Sequence, residues 1–407
     1  MRTIRTIGSL IVLLLLIWYV GRAGFATLLS TYAARANQLD AADAAVFLCR
    51  HDADAHYVRG ALLETRGDQS AAVQEYGYAV SLRPDDYVLW LSLARTREFS
   101  GPASNAISAA QKAVQLAPFY AEPHWQLGNI LIRAGQRDRG FAELRIAASS
   151  NPTFLPTVVD LAWQLSNGDA QLVIDSIQPN SSAAYIAVAD CFRKHERVGE
   201  AVTITISAGR EADDYRRSFL DQLISAKRFP EAYKLWLATQ AAGLREQSMV
   251  NPGFEQTTDL DEPGFGWRAR KDALATLSLD LINPSEGKSS LEIEFKGKSG
   301  IGSPELSQLV IVEPGTHYQL QFSARSKEIV SGAMPSVTIN DAVTGRQLGD
   351  SGAFAQSSSV WRTYSVDFTV PVGTSAIQIA VERKGCQNSS CPIFGHLWLD
   401  GFFLKRL

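Results

Sequence analysis

Three prolines stand 34 residues apart, Pro84, Pro118 and Pro152, and that period constrains the fold more than any other feature of the chain. Small residues keep the same step. Ala79, Ala113 and Ala147 lie five before each proline, Ala72, Ala106 and Gly140 twelve before, and Gly60, Ala94 and Gly128 twenty-four before. A unit of this size cannot bury its apolar face alone and must stack on copies of itself. Antiparallel helices approach closely only where side chains are small, and proline ends the second helix so that the next pair can begin.

The stretches "WLSLARTREFSGPASNAISAAQKAVQLAP" and "HWQLGNILIRAGQRDRGFAELRIAASSNP" resemble the tetratricopeptide (TPR) family. The pattern blurs downstream in "VVDLAWQL", "YIAVADCFRKHERVGEAVTI" and "FLDQLISAKRFPEAYKLWL", with Ala201 and Ala232 in the small position; upstream, "NQLDAADAAVFL" reads as the second helix of an incomplete unit. An all-α solenoid of about six units is expected over residues 37–245. The family's register implies a groove on the first helices: Tyr57, Leu91 and Trp125 at the fifth position, Ala61, Arg95 and Asn129 at the ninth, Thr65, Phe99 and Arg133 at the thirteenth. An apolar ladder flanked by Arg and Asn suits a peptide from a protein partner. The same residues also suit packing against neighbouring helices or a second domain. Of the Lys and Asn that clamp a terminal carboxylate in the family, only Asn129 matches.

The segment "CRHDADAH", residues 49–56, collects a thiol, two imidazoles and two carboxylates. Its register places it at the turn between one helix pair and the next, with Asp52 or Asp54 capping a helix and His56 at the packing position of Trp90 and His124. The structural reading is preferred over a metal site, because consecutive residues around a turn seldom supply ligand geometry.

The N-terminus puts Arg2 and Arg5 ahead of an uncharged run from Thr6 to Gly21. At about 1.5 Å per residue that run covers roughly 24 Å, a span that Trp18, Tyr19 and a snorkelling Arg22 extend toward the roughly 30 Å hydrocarbon core. Two readings are open: an uncleaved transmembrane anchor, which is favoured, and a signal peptide cut near Gly24 and Ala26. Either leaves the bulk of the chain outside the cytoplasm. Single-pass residence in the inner membrane, with a periplasmic body, is the expectation. There the spacing of Cys386 and Cys391 in "CQNSSC" allows a local disulfide.

Past "QAAGLREQSMV" helical spacing stops, and "NPGFEQTTDLDEPGFGW" marks a boundary. Apolar residues then alternate: Leu291, Ile293, Phe295; Tyr318, Leu320, Phe322; Tyr364, Val366, Phe368; Ile377, Ile379, Val381. Period two with turns between reads as an antiparallel sandwich of about eight strands. The chain divides into residues 1–36, a membrane anchor and juxtamembrane segment; 37–247, the solenoid; and 248–407, the sandwich.

The ordered signatures "NPGFE", "GFGW", "GKSSL", Trp361 with Tyr364 and Phe368, and "LWLDGFFL" resemble the jelly-roll carbohydrate-binding modules of bacterial xylanases and cellulases. That resemblance implies a glycan surface, with Gln308, Arg325 and Arg383 on strands lining one sheet face. It also implies a structural calcium held by Glu255 and Asp400, for which plain hydrogen-bonded carboxylates are the other reading. Trp267, Trp361 and Trp398 are expected to fill the core or close its ends.

Other motifs carry less. "GDSGA" at 349–353 matches a serine-protease nucleophile loop without the rest of that family, and "NPSEGKSS" imitates a phosphate loop but has Ile282 where the first glycine belongs. Net charge is -3, with 39 basic and 42 acidic residues, so nothing advertises nucleic acid as a partner. The expected function is a non-enzymatic, membrane-anchored scaffold, its solenoid on a protein and its module on a glycan, in assembly or export of a surface polysaccharide. A purely protein-binding scaffold is the alternative, and a glycosidase comes third.

Overall fold

Helix α1 (Arg2–Ala36) is followed by α2 (Leu39–Leu48), α3 (Ala53–Thr65), α4 (Gln69–Leu82), α5 (Tyr87–Glu98), α6 (Ala103–Leu116), α7 (Ala121–Arg133), α8 (Arg137–Ser150), α9 (Leu155–Leu165), α10 (Ala170–Ile177) and α11 (Ser182–Lys194). This computed structural model describes residues 2–240, 249–256, 260, 264–270, 275–297, 304–384 and 391–407. Two compact units divide it, Met1–Cys191 and Phe192–Leu407.

Local chemistry starts the helices of the first unit. Asp52 accepts from the Asp54 N–H, Asp68 from Ala71 and Asp86 from Val88, each satisfying a donor that a helix start leaves open. The turns inside the α3–α4 and α7–α8 pairs use a left-handed glycine, Gly67 (φ 83°) and Gly135 (φ 80°). The small positions are where helices touch. Ala72, Ala79, Ala94, Ala106, Ala113 and Ala147 are fully buried, and a Cβ on Gly128 would stand 2.9 Å from the Gly140 carbonyl oxygen.

Helix α1 has two parts. Leu10–Ala36 is long and apolar enough to cross a membrane, yet Ala26, Ser30 and Ala33 within it are 0–4% exposed and α1 packs on α2 and α3.

In the second unit α12 (Val198–Ile206), α13 (Asp213–Ser225) and α14 (Phe229–Leu237) precede a sandwich of β1 (Arg268–Ala269), β2 (Ala275–Asp280), β3 (Ser290–Lys296), β4 (Leu306–Ile311), β5 (His317–Ser331), β6 (Pro335–Asp341), β7 (Gln347–Asp350), β8 (Ser358–Thr369), β9 (Ala376–Arg383) and β10 (Ile393–Arg406). The strands form two antiparallel sheets, β1-β4-β9-β6-β7 and β2-β3-β10-β5-β8. The alternating residues meet between them: Leu291, Ile293, Leu320, Phe322, Val366, Phe368, Ile377, Ile379 and Val381 share one core with Trp267.

Helix gives way to strand where composition shifts, but the packed body begins earlier. Tyr233 and Trp236 of α14 set their rings 5.0 and 5.7 Å from Phe265, and Lys227 donates to the Val343 carbonyl. These contacts bind the last helix pair to the sandwich.

Candidate functional site

The residues expected to line the solenoid groove do lie on neighbouring first helices, α3, α5 and α7, but their polar groups are already engaged. Arg95 forks onto Glu64 with both N···O distances at 3.1 Å, and Arg133 does the same to Glu98. Asn129 donates to the Trp125 carbonyl at 2.8 Å. Leu91 is buried, and its carbonyl accepts from Gln126 at 3.0 Å. Tyr57 sits 5.8 Å from Tyr76, and Trp125 stacks on Phe154 at 4.6 Å. The ladder therefore cross-links successive helices first. The apolar member of the ladder left open is Phe99, which caps α5 and is 71% exposed.

The segment at residues 49–56 is a helix start and a latch. Nε2 of His56 lies 3.0 Å from the Arg50 carbonyl, and Nδ1 lies 2.6 Å from Glu75. The next units repeat the first contact. Trp90 Nε1 donates to Pro84 at 2.8 Å and His124 Nε2 reaches Pro118 at 2.9 Å, with His124 Nδ1 2.6 Å from Glu143. A carbonyl only accepts, so Nε2 carries a hydrogen, and the bond to Glu75 raises the His56 pKa against the opposing effect of burial. Among the described residues no group of three or more His, Cys, Asp and Glu gathers for a metal.

In the sandwich, the three residues expected on one face are divided, because alternation places a residue on a strand but does not say which sheet face it meets. Gln308 is 1% exposed, shares the inward face of β4 with Leu306 and Val310, and donates to the Val250 carbonyl at 2.9 Å. Arg383 follows the inward Ile379 and Val381 on β9 and donates to the Cys391 carbonyl at 2.9 Å; burial lowers its pKa. Only Arg325 faces outward, on the other sheet.

That outward face is a stacked assembly. Strand register aligns Ser278, Glu292, Trp398 and Arg325 across β2, β3, β10 and β5. The Arg325 guanidinium lies 4.3 Å from the Trp398 ring centroid and 5.2 Å from that of Trp361, and it pairs with Asp280 at 2.8 Å. His396 stacks on Trp398 and bonds Glu292 at 2.9 Å. Trp267 fills the core as expected. Trp361 and Trp398 do not; they stand on the outer face with Arg325 between them.

Further along the same face lies a residue that alternation alone misplaces. A bulge between Asp400 and Phe403 shifts the register of β10, so Phe402 turns inward at 3% exposure and Phe403 outward at 58%. Phe403 pairs in register with Gln321. Gln321 donates to Gln319 and Gln319 to Asp367, each at 2.7 Å. An exposed ring beside an amide and carboxylate row is the chemistry sugar recognition uses: an apolar platform plus groups aimed at hydroxyls. The consecutive phenylalanines of "GFFL" were the available signal, since one of two neighbours in a strand must face out.

The outer face of the other sheet is partly roofed. Ile224, Lys227 and Phe229 of the α13–α14 region, with Ser307, Leu309 and Gln378, bound a cleft of about 420 Å³.

The loop before β3, read as an imitation of a phosphate loop, cradles anions of the protein itself. The N–H groups of Ser285 and Glu286 donate to Asp400 at 2.8 and 3.1 Å, and those of Lys288 and Ser289 to Glu255 at 2.8 and 3.3 Å. Burial raises the Asp400 pKa while these bonds oppose it. The oxygens expected to hold calcium thus face hydrogen-bond donors, and the pair is a poor fit to a cation. In "GDSGA" the Ser351 hydroxyl donates to Gly352 and accepts from the Val337 N–H, which commits it to the turn. Cys391 is disulfide-bonded; Cys386, its expected partner, lies outside the described residues.

The fold and its faces define a two-part protein, tetratricopeptide-like helix pairs joined to a two-sheet sandwich. Residues 246–390 match the family described as carbohydrate binding domain. Among solved structures, YrrB, described as a TPR protein with an unusual peptide-binding site, is 20% identical with a TM-score of 0.32 over 40% of this chain and 88% of its own. MamA from Desulfovibrio magneticus RS-1 is 16% identical with a TM-score of 0.35 over 42% and 96%. No curated protein matches the chain.

Proposed function

We propose that the protein is a membrane-anchored, extracytoplasmic adaptor whose helical repeats hold a protein partner and whose sandwich holds a glycan, in the assembly or export of a cell-surface polysaccharide. The observation that carries the reading is the carbohydrate binding domain match at residues 246–390, supported by Phe403 standing 58% exposed on an outer sheet face. Its role is to hold components together and not to react with them. In the repeats, the apolar surface around Phe99 beside the Arg–Glu cross-links suits a peptide laid across successive first helices. In this reading the apolar stretch Leu10–Ala36 is the anchor, seated in the inner membrane with the body of the chain in the periplasm.

Electrophoresis of the full chain in non-ionic detergent through gels containing bacterial surface polysaccharides tests this. Retardation that Phe403→Ala abolishes is the expected result. Wild-type mobility unchanged by every polysaccharide would sink glycan binding and leave a protein-only scaffold.

A further inference from the structure

Helix α1 changes its surroundings midway, and the point of change carries a surface of its own. From Leu10 to Val20 every side chain is 53–66% exposed, all of them apolar or aromatic. Beyond it Ala26, Ser30 and Ala33, spaced four and three apart, are closed off to 0–4%, and Ala33 packs with Ala42 of α2 and Leu62 of α3. The second half of α1 is therefore a first helix of the solenoid. A cut near Ala26 would strip α2 of part of its packing.

Arg22 marks the junction. Its guanidinium lies 5.1 Å from the Trp18 ring centroid and donates to the Leu48 carbonyl and, at 3.4 Å, to that of Phe47. It thus fastens the C-terminal end of α2 level with Trp18. The side chain delivered there is Phe47, 69% exposed, and the exposed Arg50 and His51 follow it at the turn. A solvated phenylalanine beside an exposed tryptophan, with cations next to both, has the composition of a bilayer interface: aromatic rings at headgroup depth and positive charge facing lipid phosphate.

We infer that the end of α2, Phe47 with Leu48, is seated in the interface of the bilayer that α1 enters. The membrane is then a partner of the first helix pair as well as its tether. This rests on the anchor reading above, and it adds a second contact that a bare tether does not need.

The test uses the full chain in vesicles of phosphatidylethanolamine and phosphatidylglycerol, with Cys49→Ser and Cys191→Ala and a fluorophore attached in turn at Leu14→Cys, Phe47→Cys and Arg66→Cys. Nitroxide-bearing phospholipids report contact by loss of emission. Loss at positions 14 and 47 with none at 66, on the opposite turn of the pair, is the expected result. Loss at 14 alone overturns the seating of α2 and leaves the anchor standing. Retention of emission at 14 and 47 together, or a mature chain whose mass shows removal of α1, overturns both.

Discussion

Glu255 occupies the space that a side chain on Gly287 would need. Its carboxylate accepts from the two N–H groups that follow that glycine, Lys288 and Ser289, and a Cβ at 287 would overlap it. Because Gly287 also has a φ of 64°, Gly287→Ala meets a clash and a left-handed backbone at once. A loss on the order of 2–4 kcal/mol is expected in chemical denaturation of the sandwich.

Two glycines of the repeats separate those causes. Gly67 has a positive φ with open space around it, whereas Gly128 has ordinary backbone and a neighbouring helix against it. Gly67→Ala should cost about 1 kcal/mol, and Gly128→Ala about 2–3 kcal/mol, because a carbonyl of α8 cannot yield as a flexible side chain would. Thermal unfolding of the two variants checks the order. Equal losses would mean that α7 and α8 do not meet as closely as described.

His56 makes stability depend on pH. Its folded pKa is raised above 6.5 by Glu75, so the imidazolium favours the fold. That contribution is complete below about pH 6.5 and fades as pH climbs through the folded value. The melting-temperature gap between wild type and His56→Gln should accordingly narrow as pH rises across that window. Glu75→Gln, which also deprives Arg59 of a partner 2.7 Å away, should cost about 1–3 kcal/mol and flatten the profile.

Arg325 is packed more than it is displayed. Its side chain is 16% exposed and that of Asp280 13%, so Arg325→Ala leaves a carboxylate nearly stripped of water and opens the gap between two indoles. A loss of about 2–3 kcal/mol is expected. Arg325→Lys should recover little, because an ammonium lacks the flat surface that two rings grip. Denaturation midpoints of both variants decide this.

Much of the architecture was legible because its causes are local. Prolines and small residues at a 34-residue step report where helices stop and touch, and period-two alternation reports strands. The latch was legible only in part: His56, Trp90 and His124 differ as residue types but perform one act, a ring N–H holding the carbonyl six residues back. Groove positions followed from register, but Glu64 and Glu98, which neutralise Arg95 and Arg133, come from the preceding first helix, and helical register does not reveal such a cross-link. The residues expected to face a glycan were least legible. Gln308 and Arg383 turn inward, and Phe403 turns outward only because a bulge interrupts β10.

That interruption makes Phe402 and Phe403 exchangeable in principle. Removing one residue from the bulge would invert everything after it, pushing Phe402 out of the core it shares with Trp267 and drawing Phe403 in. Which of the two rings reaches solvent is thus a matter of phase: one deletion in the bulge exchanges them while every aromatic stays in the chain.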